Sequence, residues 1–389
     1  MSKSRAPLKK SKVARRVSRK LAARTGAKAL LIARSKGRSK KASKPAVRKA
    51  AENISLAPWT MRPRGPVQPV SVDVHTHWMP ERCAKALEEI GRPVRSKPEP
   101  LMVELAKTLK KMDKCGVRAL VLGVSGRMPW YWLSPEEGAR LAALFNDSAI
   151  EAHAAFPDRF FAGVELPASD PELALKELNR VAGKPGIVAV HLPSSMQAKD
   201  YLFQPAFEPI FTRCEQLGYP IMLHQLDEEV NYYGGARTRI GQPMTEGTFI
   251  YNTLGFPMDA ATTATMFVIT GTLDRHPDLE VVLPHAGGAF PVVAGRVQHG
   301  ITRRKFELQH PFRDYIRRFY YDSIIYYPET LRYMIDVVGA DRVMIGSDNS
   351  YARATLALDW PNALTESLNL PKEQEELILR GNAVRLFRL

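Results

Sequence analysis

The sequence predicts a (β/α)8 TIM barrel with inserted loops, preceded by a basic N-terminal arm that we expect to be disordered. From residue 70 onward, eight short apolar segments alternate with longer amphipathic ones. This alternation is typical of parallel strands joined by helices. Segments 281–283 and 343–345 are apolar throughout, as expected of strands buried on both faces. An open doubly wound sheet is the alternative, but no glycine-rich turn follows the first segment, which argues against its nucleotide-binding form.

Each predicted element follows from this alternation. We expect strands at residues 70–76, 118–124, 159–166, 187–191, 220–224, 280–285, 319–323 and 342–347. Helical spacing of apolar residues predicts helices at 135–155, 171–181, 206–217, 259–275 and 328–338. We therefore divide the chain into an arm and linker at residues 1–60 and a barrel at residues 61–389.

The net charge of +16 comes from the arm. Residues 1–50 hold 19 Lys and Arg with no acidic or aromatic residue, whereas the rest holds 37 bases and 40 acids. Such a segment cannot bury enough apolar surface to fold alone. Three interpretations stay open: a solvated tail, non-specific contact with nucleic acid or another polyanion, and an organelle-targeting peptide. Met61 lies just before the first strand and is a second candidate for the start of translation.

The cysteine pattern and the hydropathy predict a cytoplasmic protein without a membrane span. Cys83, Cys115 and Cys214 form no Cys-x-x-Cys pair, so neither a disulfide framework nor a thiolate zinc site is indicated. No apolar stretch approaches the roughly 18 residues that a membrane helix needs.

The first strand ends in the sequence DVHTH at residues 73–77. Side chains alternate along a strand, so His75 and His77 would point to the same face, where two imidazoles can bind one metal ion. The motif alone is weak, because two ordinary polar histidines at a strand end explain it about equally well.

Polar residues end several further strands. They are His191 on the fourth strand, His224 on the fifth, His285 on the sixth and Asp348 after the eighth. The carboxyl ends of barrel strands meet at one mouth, so these groups would converge. The small residues 286–288 would leave room there for a ligand beside the backbone.

Imidazoles with a carboxylate suit Zn²⁺ and leave a position for water, while manganese or iron stays open. A histidine near that water would serve as general acid or base.

Further motifs carry a resemblance to a known family. They are LGFP at 254–257, LDRHPDL at 273–279, PHAGGAFP at 284–291, IGSD at 345–348 and GNA at 381–383. Together with DVHTH they resemble the amidohydrolase superfamily (amidohydrolase-related family 2) over about residues 70–389. The resemblance is to the branch that contains aminocarboxymuconate-semialdehyde decarboxylase and related aromatic-acid decarboxylases.

The resemblance implies a ligand set and a catalytic pair. His75, His77, His224 and Asp348 would bind one metal ion, with zinc as the first expectation and manganese as the alternative. His285 would be the acid/base beside the metal-bound water, and Asp348 would share in catalysis. A fifth metal ligand is the alternative role for His285. No lysine ends the fourth strand, so one ion per chain is the simpler expectation, and no organic cofactor is expected.

Substrate-binding residues are predicted less directly. Arg296 resembles an arginine that binds the substrate carboxylate, partly across a dimer interface; an exposed helix residue paired with an acid is the alternative. After the second strand, Arg127 would add a second carboxylate-binding group and Trp130 an aromatic wall, or Trp130 would serve loop packing. His191 has no counterpart among the ligands and is either a pocket residue or a hydrogen-bonded histidine lining the barrel.

Two departures from the family pattern leave the substrate open. Gln225-Leu226-Asp227 stands where Pro-Trp often follows the fifth-strand histidine, and Asn349-Ser350 replaces an aromatic residue and a proline. The loop at 227–243 would overhang the mouth.

We expect a metal-dependent decarboxylase, a carbon–carbon lyase, acting on an unsaturated or aromatic carboxylic acid. The first alternative is a metal-dependent hydrolase or hydratase of ring-cleavage products or lactones. The second, a polyanion-binding protein with an idle barrel, is disfavoured by the complete ligand set. The expected partners are a small carboxylic acid, a second copy of the chain by resemblance, and a polyanion through residues 1–50.

Overall fold

The computed structural model of the protein describes residues 70–91, 103–124, 128, 130, 133–196, 199–226, 250–348 and 362–389. The expected arm at 1–60, Met61, Arg127, the loop at 227–243 and the pair at 349–350 lie outside these residues.

Eight parallel strands follow one another around a barrel, each beside the next in chain order. They are β1 Ser71–Asp73, β2 Val117–Leu122, β3 Phe160–Glu165, β4 Ile187–Pro193, β5 Ile221–His224, β6 Val281–Leu283, β7 Phe319–Asp322 and β8 Val343–Met344. A parallel bridge between Asp73 and Ile345 brings the end of the eighth strand back to the first. The predicted TIM barrel is confirmed.

The helices lie between the strands and after the last one. They are α1 Glu81–Glu89, α2 Leu105–Cys115, α3 Pro135–Ala155, α4 Pro171–Val181, α5 Glu208–Leu217, α6 Phe256–Ile269, α7 Thr272–Arg275, α8 Phe290–Arg304, α9 Phe312–Ile316, α10 Pro328–Val338, α11 Ala363–Glu366, α12 Lys372–Glu376 and α13 Asn382–Phe387. Two π-helical segments, Tyr251–Gly255 and Leu377–Gly381, precede α6 and α13. Within the described part of the chain, no helix combines the length and apolar character needed to cross a membrane.

Helices with strong start signals begin where the sequence predicts. Ser134 caps α3, accepting from the N–H of Glu137 at 3.2 Å while the Glu137 carboxylate accepts from the N–H of Ser134 at 2.9 Å. Asp170 caps α4 by accepting from the backbone N–H groups of Glu172 and Leu173. The predicted helix at 259–275 is wrong as one element: Gly271, with φ of 69°, separates α6 from α7.

The first predicted strand is also too long. β1 ends at Asp73, so His75 and His77 follow the strand and are not part of it. The Asp73 carboxylate accepts hydrogen bonds from the backbone N–H of Ser347 at 3.0 Å and from that of His75 at 3.3 Å. These bonds join the end of β1 to the segment after β8, and the N–H of Val74 donates to the carbonyl of Ile345 at 2.9 Å. The segment after β1 then enters the mouth of the barrel.

The inside of the barrel is a packed core below the mouth. Side chains from alternate positions of several strands meet there, and the last helix contributes to the same cluster: Val72, Ala119, Val121, Ala189, Met222, Val282, Tyr320, Met344, Leu386 and Phe387. The polar residues at the carboxyl ends of the strands therefore rest on an apolar floor.

Candidate metal centre and active site

Three histidines converge at the carboxyl ends of the strands. His75 and His77 follow β1 and His224 ends β5. All three are buried, and one ring nitrogen from each lies within 4.8 Å of the others. Three imidazole nitrogens at this spacing can bind one divalent ion.

Asp348, the fourth predicted ligand, lies beside two of these histidines. Its Oδ1 lies 2.7 Å from Nε2 of His77 and 4.0 Å from Nε2 of His75. Its backbone N–H donates to the carbonyl of His75 at 3.0 Å. Burial raises the pKa of Asp348, but the hydrogen bond and charge of His77, with the charges of His75 and His285, outweigh burial and hold this pKa below its ordinary value. The carboxylate therefore stays ionised beside the rings.

Hydrogen bonds orient two of the rings toward this centre. Nδ1 of His75 donates to Oδ2 of Asp322 at 2.6 Å, and Nδ1 of His224 donates to the carbonyl of Gln225 at 2.6 Å. Each bond leaves the Nε2 lone pair free to bind a metal. Nε2 of His75 is buried and has no hydrogen-bond partner among the described residues. Buried polar atoms normally have partners, so the arrangement fits a metal ligand.

The electrostatics of the centre favour neutral rings at His224 and His191 and the charged ring at His75. Burial, with the charges of His75 and His77, lowers the pKa of His224 well below its ordinary value. The same causes lower the pKa of His191 to about 3. Burial also lowers the pKa of His75, but Asp322, Asp348 and Asp73 outweigh it and raise this pKa overall. Neutral imidazole is the form that a metal ion requires.

His285 lies in the same cluster, two residues beyond β6. Its ring centroid is 5.2 Å from that of His75 and 5.3 Å from that of His224, and the ring stacks on Phe256 at 6.2 Å. Burial lowers the pKa of His285 to about 4, and the charge of His75 adds to this effect. A neutral ring here can accept a proton, as an acid/base requires.

The glycines after His285 do not leave room for a ligand, contrary to the sequence interpretation. A Cβ atom on Gly287 would lie 2.7 Å from the ring of Tyr321. A Cβ atom on Gly288 would lie 1.9 Å from the carbonyl oxygen of Pro257. The small residues serve close packing of this turn against β7 and the start of α6.

Asp322, the last residue of β7, was not predicted as a site residue. Its carboxylate accepts from Nδ1 of His75 and from the backbone N–H groups of His285 at 2.9 Å, Ala286 at 2.7 Å and Ile324 at 3.0 Å. Burial raises the pKa of Asp322. The hydrogen bond and charge of His75, the charge of His285 and the hydrogen bond from the Ala286 N–H outweigh burial and lower this pKa overall. A signal was present, because Asp322 ends an apolar strand as the predicted ligands do.

The predicted substrate residues have different surroundings. His191, on β4, lines a small cavity with His75, His224 and Asp322, and its ring packs against Gly163. Trp130 is 2% exposed and belongs to the hydrophobic core. Arg296 lies exposed on α8. The roles of these residues in substrate binding stay predictions.

A barrel with buried histidines and a carboxylate converging at the carboxyl ends of its strands defines a metal-dependent TIM-barrel enzyme. The amidohydrolase family model matches residues 72–389. The chain belongs to the amidohydrolase family, which confirms the resemblance found in the sequence.

Two relatives share most of this region. A 2-amino-3-carboxymuconate-6-semialdehyde decarboxylase from Dictyostelium discoideum is 26% identical over 286 residues, 72% of this chain and 76% of the relative. A gamma-resorcylate decarboxylase from Rhizobium radiobacter is 28% identical over 295 residues, 72% of this chain and 86% of the relative.

Solved structures share the fold. The 5-carboxyvanillate decarboxylase from Sphingomonas paucimobilis superposes with a TM-score of 0.69 at 24% identity, covering 83% of this chain and 100% of that one. A dihydroxybenzoic acid decarboxylase from Polaromonas sp. JS666, solved with bound manganese and the inhibitor 2-nitroresorcinol, gives a TM-score of 0.65 at 21% identity, covering 83% and 98%.

Proposed function

We propose that this protein is a metal-dependent decarboxylase of an aromatic or unsaturated carboxylic acid. The convergence of three buried histidines on one point, with Asp348 and His285 beside them, is the observation that carries this proposal. The decarboxylase names of the relatives in the same family support it.

The four proposed ligands are His75, His77, His224 and Asp348, around one ion. When bound, a divalent ion polarises a substrate oxygen and brings the pKa of a bound water toward neutrality. Nitrogen-rich ligands suit zinc, whereas the manganese of one structural neighbour favours the alternative metal. Metal analysis of protein purified without added metal, followed by reconstitution with each ion, decides between them.

His285 is proposed to manage the proton of the reaction. Decarboxylation breaks the bond between a substrate carbon and its carboxylate. The carboxylate leaves as CO₂, the electron pair of the broken bond stays on the carbon, and that carbon then takes a proton. His285 can hold this proton because its ring lies within the same buried cluster as the ligands. Asp348 is the charged group beside the reacting position.

The carboxylate of the substrate requires a cationic partner. Arg296 is exposed on α8, which begins three residues after the 285–287 turn, and Arg127 follows β2 in the chain. We assign both as carboxylate-binding candidates, because guanidinium groups offer a bidentate fork. His191 and Trp130 are the proposed wall residues of the pocket.

A panel of aromatic and ring-cleavage acids tests the reaction directly. The proposal expects CO₂ release together with the product that carries hydrogen in place of the carboxylate. A product that gains water without loss of CO₂ would instead assign a hydrolase or hydratase, which the departures at Gln225 and Asn349 keep as the second candidate.

We also propose that the protein is a homodimer. Apolar side chains are exposed on neighbouring helices: Val292 of α8 is 61% exposed, and Tyr333 of α10 is 43% exposed and donates to the carbonyl of Pro291. Arg296 lies on the same helix as Val292, so a second copy packed against this face would lie close to Arg296. Light scattering should give about twice the chain mass of 43.5 kDa, and Val292→Glu should reduce it.

The basic arm is proposed to contact a polyanion in the cytoplasm. Residues 1–50, with 19 basic residues and no acid, are the basis of this proposal. Removal of residues 1–60 should abolish a salt-sensitive mobility shift of DNA and leave catalysis unchanged. An unchanged shift contradicts the proposal, while mitochondrial import of the full chain would favour the targeting interpretation.

A further inference from the structure

Asp322 joins three separate segments of the barrel mouth. It is buried at the end of β7, and each of its two carboxylate oxygens accepts two hydrogen bonds. Oδ2 accepts from Nδ1 of His75 at 2.6 Å and from the N–H of His285 at 2.9 Å. Oδ1 accepts from the N–H groups of Ala286 at 2.7 Å and Ile324 at 3.0 Å. One carboxylate thus contacts both a proposed metal ligand and the turn that carries the proposed acid/base.

The contact with His75 fixes where that ring carries its proton. An ionised carboxylate only accepts hydrogen bonds, so Nδ1 of His75 must be the donor. A neutral imidazole has a single N–H, and Nε2 therefore keeps its lone pair. His75 offers its ligand nitrogen to the same point as His77 and His224, where a metal ion requires the lone pair.

The contacts with the turn hold an uncommon backbone. His285 and Ala286 have φ values of 54° and 55°, in the left-handed region that residues with a side chain rarely adopt. Both backbone N–H groups are bound to Asp322, so the carboxylate stabilises this conformation. This turn places the centroid of the His285 ring within 5.3 Å of the ring centroids of His75 and His224.

We propose that Asp322 is a positioning residue that sets the Nδ1–H tautomer of His75 and holds the turn of His285, so that metal ligand and acid/base are aligned by one carboxylate. The inference rests on the proposed roles of His75 and His285. The alignment of His75 and His285 by Asp322 does not depend on which carboxylic acid is the substrate.

Asp322→Asn tests the proposal with little change in shape. The amide oxygen can remain on the N–H groups of Ala286 and Ile324, which leaves the NH₂ group facing Nδ1 of His75 and the N–H of His285. The hydrogen bond from the His285 N–H is then lost as well. Nδ1 of His75 must then accept, and its proton moves to Nε2, the nitrogen needed by the metal. We expect the affinity for Zn²⁺, measured by competition with a chelator, to fall about 10- to 100-fold.

The tautomer itself can be observed without metal, at a pH above the raised pKa of His75, where the ring is neutral. In protein labelled with ¹⁵N-histidine, the His75 signals, assigned by their loss in His75→Gln, should report Nδ1–H in the wild type and Nε2–H in Asp322→Asn. If Asp322 had only a structural role, Asp322→Asn would lower the thermal stability, and the proton of His75 would stay on Nδ1. An unchanged tautomer in the variant would overturn the proposal.

Glu177→Gln is the control. Glu177 is also a buried carboxylate, but it lies on α4 and accepts from the Asn146 amide and the Arg180 guanidinium, not from an imidazole ring. We expect its zinc affinity to stay within about threefold of the wild type. Equal losses in both variants would overturn a specific role for Asp322.

The outcomes also separate this inference from the proposed function. Wild-type protein that binds zinc but releases no CO₂ from any acid contradicts the proposed reaction and leaves the role of Asp322 standing. Wild-type protein that binds neither zinc nor manganese contradicts the proposed function, and the tautomer measurement still decides whether Asp322 sets the proton of His75.

Discussion

His285 and Asp348 share an uncommon backbone conformation, with φ of 54° at each residue. For residues other than glycine this conformation costs on the order of 1 kcal/mol. The backbone N–H of His285 donates to the Asp322 carboxylate at 2.9 Å, and the backbone N–H of Asp348 donates to the carbonyl of His75 at 3.0 Å. We infer that these bonds offset the backbone cost and direct both side chains to the metal centre.

His285→Ala tests the acid/base role. General acid–base catalysis contributes about 10²- to 10⁴-fold, so kcat should fall by at least about 100-fold. Metal content should not change, because four other groups are the proposed ligands. His299→Ala, at an exposed position of α8, is the matched control and should retain full activity. Loss of the metal in His285→Ala would assign His285 as a fifth ligand.

The predicted ligands could be found in the sequence because each one follows a short apolar run. His224 and Asp348 are clear examples, since the runs before them are wholly buried. Asp322 also follows such a run, yet its partner His75 lies 247 residues away. Only closure of the barrel brings these two side chains together, so its role could not be derived from local pattern.

At the scale of elements, the turn after β6 is held against the start of α6. Gly288 has φ of 59°, and a Cβ atom there would lie 1.9 Å from the carbonyl oxygen of Pro257. Backbone cannot move aside as a flexible side chain does. The close approach of these two segments therefore requires glycine.

Gly288→Ala should destabilise the protein by about 2 kcal/mol or more, because the clash adds to the unfavourable φ. Gly295→Ala is the control: this glycine lies within α8 and a Cβ atom there meets nothing within 4 Å. The control should gain up to about 1 kcal/mol from helix propensity. Urea unfolding measures both, and equal stability of the two variants would contradict this account of the turn.

The boundaries of elements were predicted well only where local signals exist. Capping by Ser134 and Asp170 marks the starts of α3 and α4, and both starts match the prediction. The end of β1 depends instead on bonds from Asp73 to Ser347, which lies 274 residues away. Tertiary contacts of this kind leave no local signal, so the strand was predicted too long.

At the scale of the whole molecule, burial of the histidines links stability to pH. The pKa of His191 is lowered to about 3, that of His285 to about 4, and that of His224 well below its ordinary value, each chiefly by burial. Below about pH 6.5 the unfolded chain binds protons that the folded protein does not, so these rings cost stability as pH falls. Burial raises the pKa of Asp73 to about 7, which acts in the opposite direction.

The free energy of unfolding of the metal-free protein should therefore fall between pH 6.5 and pH 4.5, by on the order of 2 kcal/mol per pH unit. The three histidines lower it as the pH falls, and the Asp73 carboxyl offsets one of them. The raised pKa of His75 acts outside this window, since its contribution is complete below about pH 6.5 and is lost as pH rises through the folded pKa. Thermal unfolding across this range measures the effect. A Tm that is constant or rises toward pH 4.5 would contradict it.

The overall barrel and the family were predictable because the alternation of strands and helices runs through the whole body of the chain. The substrate was not predictable, because the sequence departs from the family pattern at 225–227 and 349–350 and carries no motif there that identifies a substrate. Substrate choice in such barrels is made by the loops beyond the strands, which carry little periodic signal.

Metal content of the wild type and His224→Ala, measured together by elemental analysis, tests the central claim most directly. Circular dichroism of both proteins verifies that the barrel is folded. We predict about one zinc or manganese ion per wild-type chain and its loss in the variant. A folded wild type without metal, or a variant that keeps its ion, would contradict the proposed metal site of His75, His77, His224 and Asp348.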